Sequence, residues 1–184
     1  MDTVGDGLEE VLQKAFTRPI PKSAGAQMRY LVKQLKGTRP VAELVGITQR
    51  TVERYVRDQL RKPRPELAER LEREVRRRWQ PQVRARAKKQ AASRTGIVID
   101  TRARFGYTAA PGTTDDPRQR HLTVALPPEF AARLFDAQEQ GATEQQLRDI
   151  AAEGLGEIYF RDRGRRAQGL EVQFTDVDHV EFDL

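Results

Sequence analysis

The segment PVAELVGITQRTVERYVRDQ, residues 40–59, constrains the fold more than any other part of the sequence. It has the spacing of a helix-turn-helix, in which a small residue lies where two helices touch, a flexible residue makes the turn and an apolar residue fixes the second helix. Ala42, Gly46 and Val52 occupy these three positions. The sequence therefore predicts two short helices joined by a tight turn over residues 38–60, and an ordinary helical hairpin is the alternative.

The start of the second predicted helix is polar and basic. In helix-turn-helix proteins this end of the second helix contacts base edges in the major groove of DNA. Thr48 also has the side chain and the position to cap the helix. The residues predicted to bind DNA in this segment are Thr48, Gln49, Arg50, Thr51, Arg54 and Arg57.

Charge is distributed unevenly along the chain. Residues 1–92 contain 22 Lys and Arg against 11 Asp and Glu, whereas residues 93–184 contain 11 against 16. A basic region favours a polyanion as partner, and an acidic region favours a different partner such as another protein. We therefore predict an α+β protein of two modules, an all-helical DNA-binding module over residues 1–92 and a small α+β module over residues 93–184.

The composition excludes several kinds of site. There is no cysteine, so neither disulfides nor thiolate metal ligands are possible. His121 and His179 are far apart in the sequence, and no metal site is predicted. No apolar run approaches the roughly 20 residues that span a bilayer, and the amino terminus lacks the basic start of a signal peptide. We therefore expect a cytoplasmic protein with no membrane partner.

The helical module contains three further predicted helices. Apolar residues recur at helical spacing from Leu8 to Phe16, from Met28 to Leu35 and from Leu67 to Trp79. Four pairs in which Glu precedes Arg by four residues support the last of these helices. They are Glu66–Arg70, Glu69–Arg73, Glu72–Arg76 and Glu74–Arg78.

Beyond Pro81, the segment VRARAKKQAAS has almost no apolar surface to bury. We predict that residues 65–92 form a basic helix and an arm that lies along DNA phosphates, with a solvated linker as the alternative. Phosphate contacts of this kind bind all sequences alike. The predicted contacts in the arm are Arg84, Arg86, Lys88 and Lys89.

The second module is predicted to contain two helices and four strands. The β-branched and aromatic segment GIVIDTRARFGYTA and residues His121–Leu126 indicate two strands, joined by a loop at residues 110–117. Helices follow over residues 128–140 and 143–159. Two short alternating runs, Leu170–Phe174 and Val177–Phe182, predict a final hairpin.

Several segments resemble one protein family closely. They are KAFTRPIPKSAGAQMRYLVKQ at 14–34, ERLEREVRRRWQPQVRARAKK at 69–89, TRARFGYTAAPGTTDD at 101–116 and ARLFDAQEQGATEQQLRDIAAEGL at 132–155. With the helix-turn-helix, they are similar to the telomere terminal proteins of Streptomyces linear replicons over nearly the whole chain. The resemblance implies a protein located in the nucleoid at replicon ends, where it is joined covalently to the DNA 5′ end. It also implies that the protein primes end-patching synthesis, and that its partners are telomeric DNA (a single-stranded 3′ overhang or the adjacent duplex), a telomere-associated protein and a DNA polymerase.

The resemblance also implies a priming residue. The family primes from a threonine hydroxyl in the loop that matches GTTDD, which corresponds to Thr114, with Thr113 as the second choice. Asp115 and Asp116 would support the loop by imitating primer phosphates or holding a metal, or would only form the turn. The chain would then be a substrate rather than an enzyme and would need no cofactor of its own, since Mg²⁺ would come with the partner polymerase.

A second hypothesis, which assigns the chain to a different class of protein, remains open. The same basic half suits a helix-turn-helix transcriptional regulator or a plasmid-maintenance protein whose carboxyl-terminal module dimerises or binds an effector. Such a protein ordinarily binds a palindromic site as a two-fold assembly. This reading gives no role to the loop that contains Thr114.

Overall fold

The computed structural model describes residues 3–108, 118–160 and 171–184, and the side chains of residues 3–104, 119–160 and 177–184. Within these ranges the fold is α+β, as predicted. The helices are α1 (Val4–Lys14), α2 (Ala24–Leu35), α3 (Thr38–Val45), α4 (Gln49–Val56), α5 (Pro65–Arg78), α6 (Pro81–Gln90), α7 (Pro128–Glu139) and α8 (Glu144–Leu155). The strands are β1 (Ile97–Thr108), β2 (Arg118–Leu126) and β3 (Glu171–Asp183). Short π-helical segments, Ala91–Thr95 and Gly156–Phe160, follow α6 and α8.

The chain divides into two compact units. Phe16–Pro81 form one, which we call the helical unit, and Met1–Ala15 with Gln82–Leu184 form the other, which we call the sheet unit. None of the helices in the described ranges is long and apolar enough to cross a membrane.

The helical unit packs α2 to α5 around one apolar core. The stripe predicted for α5 is confirmed, because Leu67, Leu71 and Val75 are all buried. These side chains belong to one cluster with the buried apolar residues of the other three helices: Ala24, Met28, Leu31, Val41, Ala42, Val45, Val52 and Tyr55. The core therefore fixes the helix-turn-helix pair against two supporting helices.

The first and last residues of the helical unit are hydrogen-bonded to each other. The amide and hydroxyl of Thr17 donate to Oε1 of Gln80 at 3.2 and 3.0 Å. Nε2 of Gln80 and Nε1 of Trp79 both donate to the carbonyl of Arg18, at 3.1 and 3.0 Å. The chain therefore enters and leaves this unit at adjacent points.

The sheet unit is built on three antiparallel strands in the order β2-β1-β3. Residues of one face, including Ile97, Ile99 and Phe182, are buried in a core shared with α1, α7 and α8. The alternate residues of β1, such as Arg102 and Arg104, are exposed on the other face. This alternation follows from the two-residue period of a strand.

Helix α1 belongs to the sheet unit, which differs from the predicted boundary at residue 92. Its Leu8 and Leu12 are fully buried in the sheet unit's core. A Cβ on Gly7 would lie 2.9 Å from Cδ2 of Phe182, so the glycine allows α1 to approach β3 closely. The carboxylate of Glu144 accepts the first amides of α1, from Val4 at 2.8 Å and Gly5 at 3.1 Å.

The predicted carboxyl-terminal hairpin is wrong. Of the two runs Leu170–Phe174 and Val177–Phe182, all residues from 171 onward fall on β3, which is continuous from Glu171 to Asp183. The register of β3 on β1 shifts at Arg104/Phe105, which lies between the two runs, and again at Arg102/Ala103, which lies within the second run. Each shift changes the phase of the alternation. An irregularity of this kind adds a residue to one strand without reversing the chain. The described ranges accordingly contain three strands rather than four.

Candidate nucleic-acid interface

The turn between α3 and α4 depends on Gly46. This residue ends α3 with φ 68° and ψ 42°, a left-handed conformation that glycine adopts without steric cost. The following amide, Ile47 N–H, donates to the carbonyl of Ala42 at 3.0 Å. Both features close α3 and direct the chain into α4, as the helix-turn-helix spacing predicted.

The first turn of α4 is capped by two threonines. Oγ1 of Thr48 accepts the amide of Thr51 at 3.3 Å and lies 2.8 Å from the Thr51 hydroxyl. Nε2 of Gln49 donates to Oε1 of Glu53 at 3.1 Å. The predicted cap at Thr48 is confirmed, and these side chains fix the start of the helix.

Three arginines lie on the face of α4 opposite the core. A helix turns by about 100° per residue, so Arg50 and Arg54 of α4 and Arg57, the residue that caps its carboxyl end, lie within a narrow arc. Val52 and Tyr55, which face the other way, are 0% and 5% exposed. The three arginine side chains are exposed. We call them the arginine face.

No salt bridge within the described ranges involves the arginine face. Other arginines of the helical unit are paired, for example Arg29 with Asp58 at 2.8 Å and Arg39 with Glu43 at 3.1 Å. The helical unit as a whole contains 17 Lys and Arg against 7 Asp and Glu, a net charge of +10. The sheet unit contains 16 against 20, a net charge of −4. The excess positive charge is therefore concentrated in the unit that carries the helix-turn-helix.

The four cations predicted for a basic arm lie on α6, in the sheet unit. The Arg84 guanidinium binds both carboxylate oxygens of Glu9 at 2.7 Å. Nζ of Lys88 lies 2.6 Å from Glu139 and 5.5 Å from the centre of the Phe135 ring. Arg86 and Lys89 are exposed. Two of the four cations therefore hold α6 to its own unit, and the other two face solvent.

The candidate priming residues Thr113, Thr114, Asp115 and Asp116 lie outside the described residues. The strands on either side of them are antiparallel neighbours. Their register runs from Ile97 opposite Leu126 to Phe105 opposite Arg118.

Two histidines that are distant in sequence meet on the exposed face of the sheet. His121 on β2 and His179 on β3 flank Arg102 of β1. Their Nε2 atoms lie 2.9 and 3.8 Å from Oδ1 of Asp100. A 2.5 Å hydrogen bond from the Thr123 hydroxyl and the bond to His121 lower the pKa of Asp100.

Sequence analysis missed this cluster of Asp100, His121, Thr123 and His179. Strand alternation could have indicated that each faces outward, but it does not reveal which strands are neighbours. Of the His, Cys, Asp and Glu residues in the described ranges, no group of three or more could hold a metal ion. Hydrogen bonds to Asp100 join β1 and β2 in this cluster, and His179 of β3 lies within ion-pair distance of the same carboxylate.

Comparison of the chain with protein-family models, with curated proteins and with solved structures yields no match.

Proposed function

We propose that this chain is a telomere terminal protein, which binds the ends of a linear replicon and supplies the hydroxyl from which their synthesis is primed. The observation that carries the DNA-binding part is the arginine face of α4, exposed and opposite the buried Val52 and Tyr55. In a helix-turn-helix this face enters the major groove, where Arg donates two hydrogen bonds to guanine. The net charge of +10 on the helical unit further supports a polyanionic partner.

The priming part of the proposal rests on the resemblance at GTTDD. Oγ1 of Thr114 would attack the α-phosphorus of a deoxynucleoside triphosphate. A phosphoester bond would form to the threonine, the bond to pyrophosphate would break, and the hydroxyl proton would pass to the polymerase active site or to water. The polymerase would supply the metal ions, and this chain would be consumed as the primer.

The sheet unit is the proposed surface for the replication partners, a telomere-associated protein and a DNA polymerase. Its net charge of −4 disfavours an approach to DNA and is compatible with a protein partner. The proposal therefore assigns DNA to one unit and proteins to the other.

Substitutions at two threonines test the priming step. Purified variants are incubated with cell extract and each labelled deoxynucleotide, and the labelled protein is separated in denaturing gels and mapped by peptide. Thr114→Ala should accept no nucleotide because it has no oxygen nucleophile, whereas Thr114→Ser should keep measurable labelling. Thr113→Ala is the matched control and should be labelled nearly as the wild type. Labelling of Thr114→Ala at the wild-type level would contradict the choice of residue.

The alternative function, a transcriptional regulator or plasmid-maintenance protein, is favoured equally by the arginine face. The two functions differ in the bond to DNA. A terminal protein stays attached to replicon ends through phenol extraction and boiling detergent, whereas a regulator is released. Release of this chain from linear DNA under those conditions would favour the regulator.

A further inference from the structure

We infer that the segment joining α4 to α5, residues 57–64, is a second DNA contact that binds the phosphate backbone beside the groove. We call it the basic loop. Its sequence, RDQLRKPR, carries four cations and one carboxylate. The inference rests on the proposed DNA binding by α4 and names a further part of that interface.

The basic loop is held in a fixed position at the end of α4. The amide of Gln59 donates to the carbonyl of Arg54 at 2.9 Å, and Asp58 has a left-handed backbone with φ 56°. From α2, Nη1 of Arg29 donates to the Val56 carbonyl at 2.9 Å and to Oδ2 of Asp58 at 2.8 Å. These bonds tie the start of the loop to a neighbouring helix.

Packing restrains the rest of the loop. Leu60 is partly buried against the core of the helical unit. Pro63 and Pro65 fix their own backbone torsions, and Pro65 begins α5. A Cβ on Gly25 of α2 would lie 2.2 Å from Oδ1 of Asp58, so a larger residue there would displace the Asp58 carboxylate from its present position. A loop restrained in this way loses little entropy when its side chains bind a ligand.

The one carboxylate of the basic loop forms an ion pair with an arginine of another helix. Asp58 pairs with Arg29, and no salt bridge in the described ranges involves Arg57, Arg61, Lys62 or Arg64. All four of these side chains are exposed. The loop therefore presents a cluster of positive charge that its own acidic residue does not neutralise.

The length of α4 places this cluster at the wall of the groove. At about 1.5 Å per residue, its eight residues span about 12 Å, which is close to the width of the major groove of B-DNA. When the start of α4 contacts base edges, its far end meets the sugar-phosphate backbone. The loop that follows is then beside phosphates, and lysine and arginine are the side chains that bind them.

The test uses the full chain and two charge-matched double variants. Arg61→Gln/Lys62→Gln removes two exposed cations from the basic loop, and Arg73→Gln/Arg77→Gln removes two exposed cations from α5. Affinities for a replicon-end duplex and for an unrelated duplex are measured across a range of salt concentrations. Thermal unfolding of each variant is measured beside its binding.

We expect the loop variant to reduce the slope of log K against log salt by about 1.8, or 0.9 for each lost phosphate contact. The ratio of affinities for the two duplexes should stay at its wild-type value, because phosphate contacts do not read sequence. Arg61→Lys/Lys62→Arg, which keeps both charges, should restore the slope. The α5 variant should change the slope by less.

Three outcomes would overturn the inference. They are an unchanged slope in the loop variant, an equal fall in both variants, and a changed affinity ratio for the two duplexes. An equal fall in both variants would mean that the slope depends only on the net charge of the chain. A changed affinity ratio would mean that the loop contacts bases. A wild-type chain that bound neither duplex would instead remove the proposed DNA binding, and the inference with it.

Discussion

Arg54 and Arg50 differ from the paired arginines of the helical unit in what surrounds them. Arg29 and Arg39 each hold a carboxylate, whereas the two arginines of α4 lie in solvent on the far side of the helix from Tyr55. Removing such a side chain should change the free energy of unfolding little, because no intramolecular partner is left unpaired. Any loss caused by their replacement should therefore be in binding.

We predict that Arg54→Ala reduces discrimination between the replicon-end duplex and an unrelated duplex by about 1–3 kcal/mol. Fluorescence anisotropy with labelled duplexes measures both affinities. Arg76→Ala is the control, because Arg76 pairs with Glu72 on α5 at 2.5 Å. Equal losses on both duplexes would show that Arg54 binds phosphate rather than a base.

Asp100 gives a prediction about pH. A hydrogen bond from Thr123 is the largest cause, and one from His121 the next, of a pKa in the folded chain that lies below the usual value of about 3.9. Asp100 therefore contributes stability that is present above pH ~4 and is lost as the pH falls through the folded pKa. Wild type should be more stable than Asp100→Asn in chemical denaturation near neutral pH, and the difference should shrink on acidification.

Thr123→Val checks the cause of this effect. It removes the largest contribution to the lowered pKa of Asp100, so part of the same pH-dependent stability should disappear. A stability difference between wild type and Asp100→Asn that stayed constant from neutral pH to pH ~3 would contradict the assignment.

At the scale of elements, sequence periodicity predicted most helices but not all of their partners. The apolar stripe of α5 is visible in the sequence, and its burial follows. Helix α1 is equally visible, yet its partner β3 lies at the other end of the chain, and no local pattern encodes that contact. The bulged β3 was misread because a phase change in alternation is produced both by a turn and by a register shift.

Helix α6 shows the same limit for the candidate site. Its sequence offers almost no apolar surface to bury, so a basic arm along DNA phosphates was the expectation. The structure instead places the Arg84 side chain at 12% exposure, in a two-bond pair with Glu9 at 24%. Charge patterns reveal the cation but not the carboxylate that lies 75 residues away in the sequence.

We predict that Arg84→Ala destabilises the chain by roughly 1–3 kcal/mol, because it strands a half-buried carboxylate and removes two charged hydrogen bonds. Chemical denaturation measures the loss. Arg86→Ala on the same helix is exposed and should change stability little. If Arg84→Ala left stability unchanged and lowered the salt slope of DNA binding, Arg84 would be a phosphate contact as the sequence suggested.

For the whole molecule, the charge asymmetry was predictable and the boundary was not. The sequence halves differ in net charge, but the structure moves α1 and α6 out of the basic half and leaves a helical unit of +10 over residues 16–81. Hydrophobic contacts rather than charge decide where a unit ends, and those of Leu8 and Leu12 are with the sheet unit.

We predict that a fragment of residues 16–81 folds by itself and binds DNA, since its core and its terminal hydrogen bonds are internal. A fragment of residues 1–92 should be less soluble, because it exposes the apolar face of α1 without β3 to cover it. Circular dichroism, size-exclusion chromatography and DNA binding compare the two. If fragment 16–81 were unfolded and fragment 1–92 well folded, the boundary at residue 92 that the sequence predicted would be correct.

The contact between α1 and β3 also bears on the order in which the chain folds during synthesis. Nζ of Lys14 donates to Glu181 at 2.6 Å, across 167 residues of sequence. The ribosome therefore releases α1 first, but its packing partners, α8 and β3, are made late, and its surface stays incompletely covered until β3 has been made. The helical unit has no such delay, because every helix of its core is synthesised in one continuous stretch. Nascent chains should accordingly acquire a competent DNA-binding unit while the sheet unit is still incomplete, with α1 dependent on late translation or on a chaperone for protection.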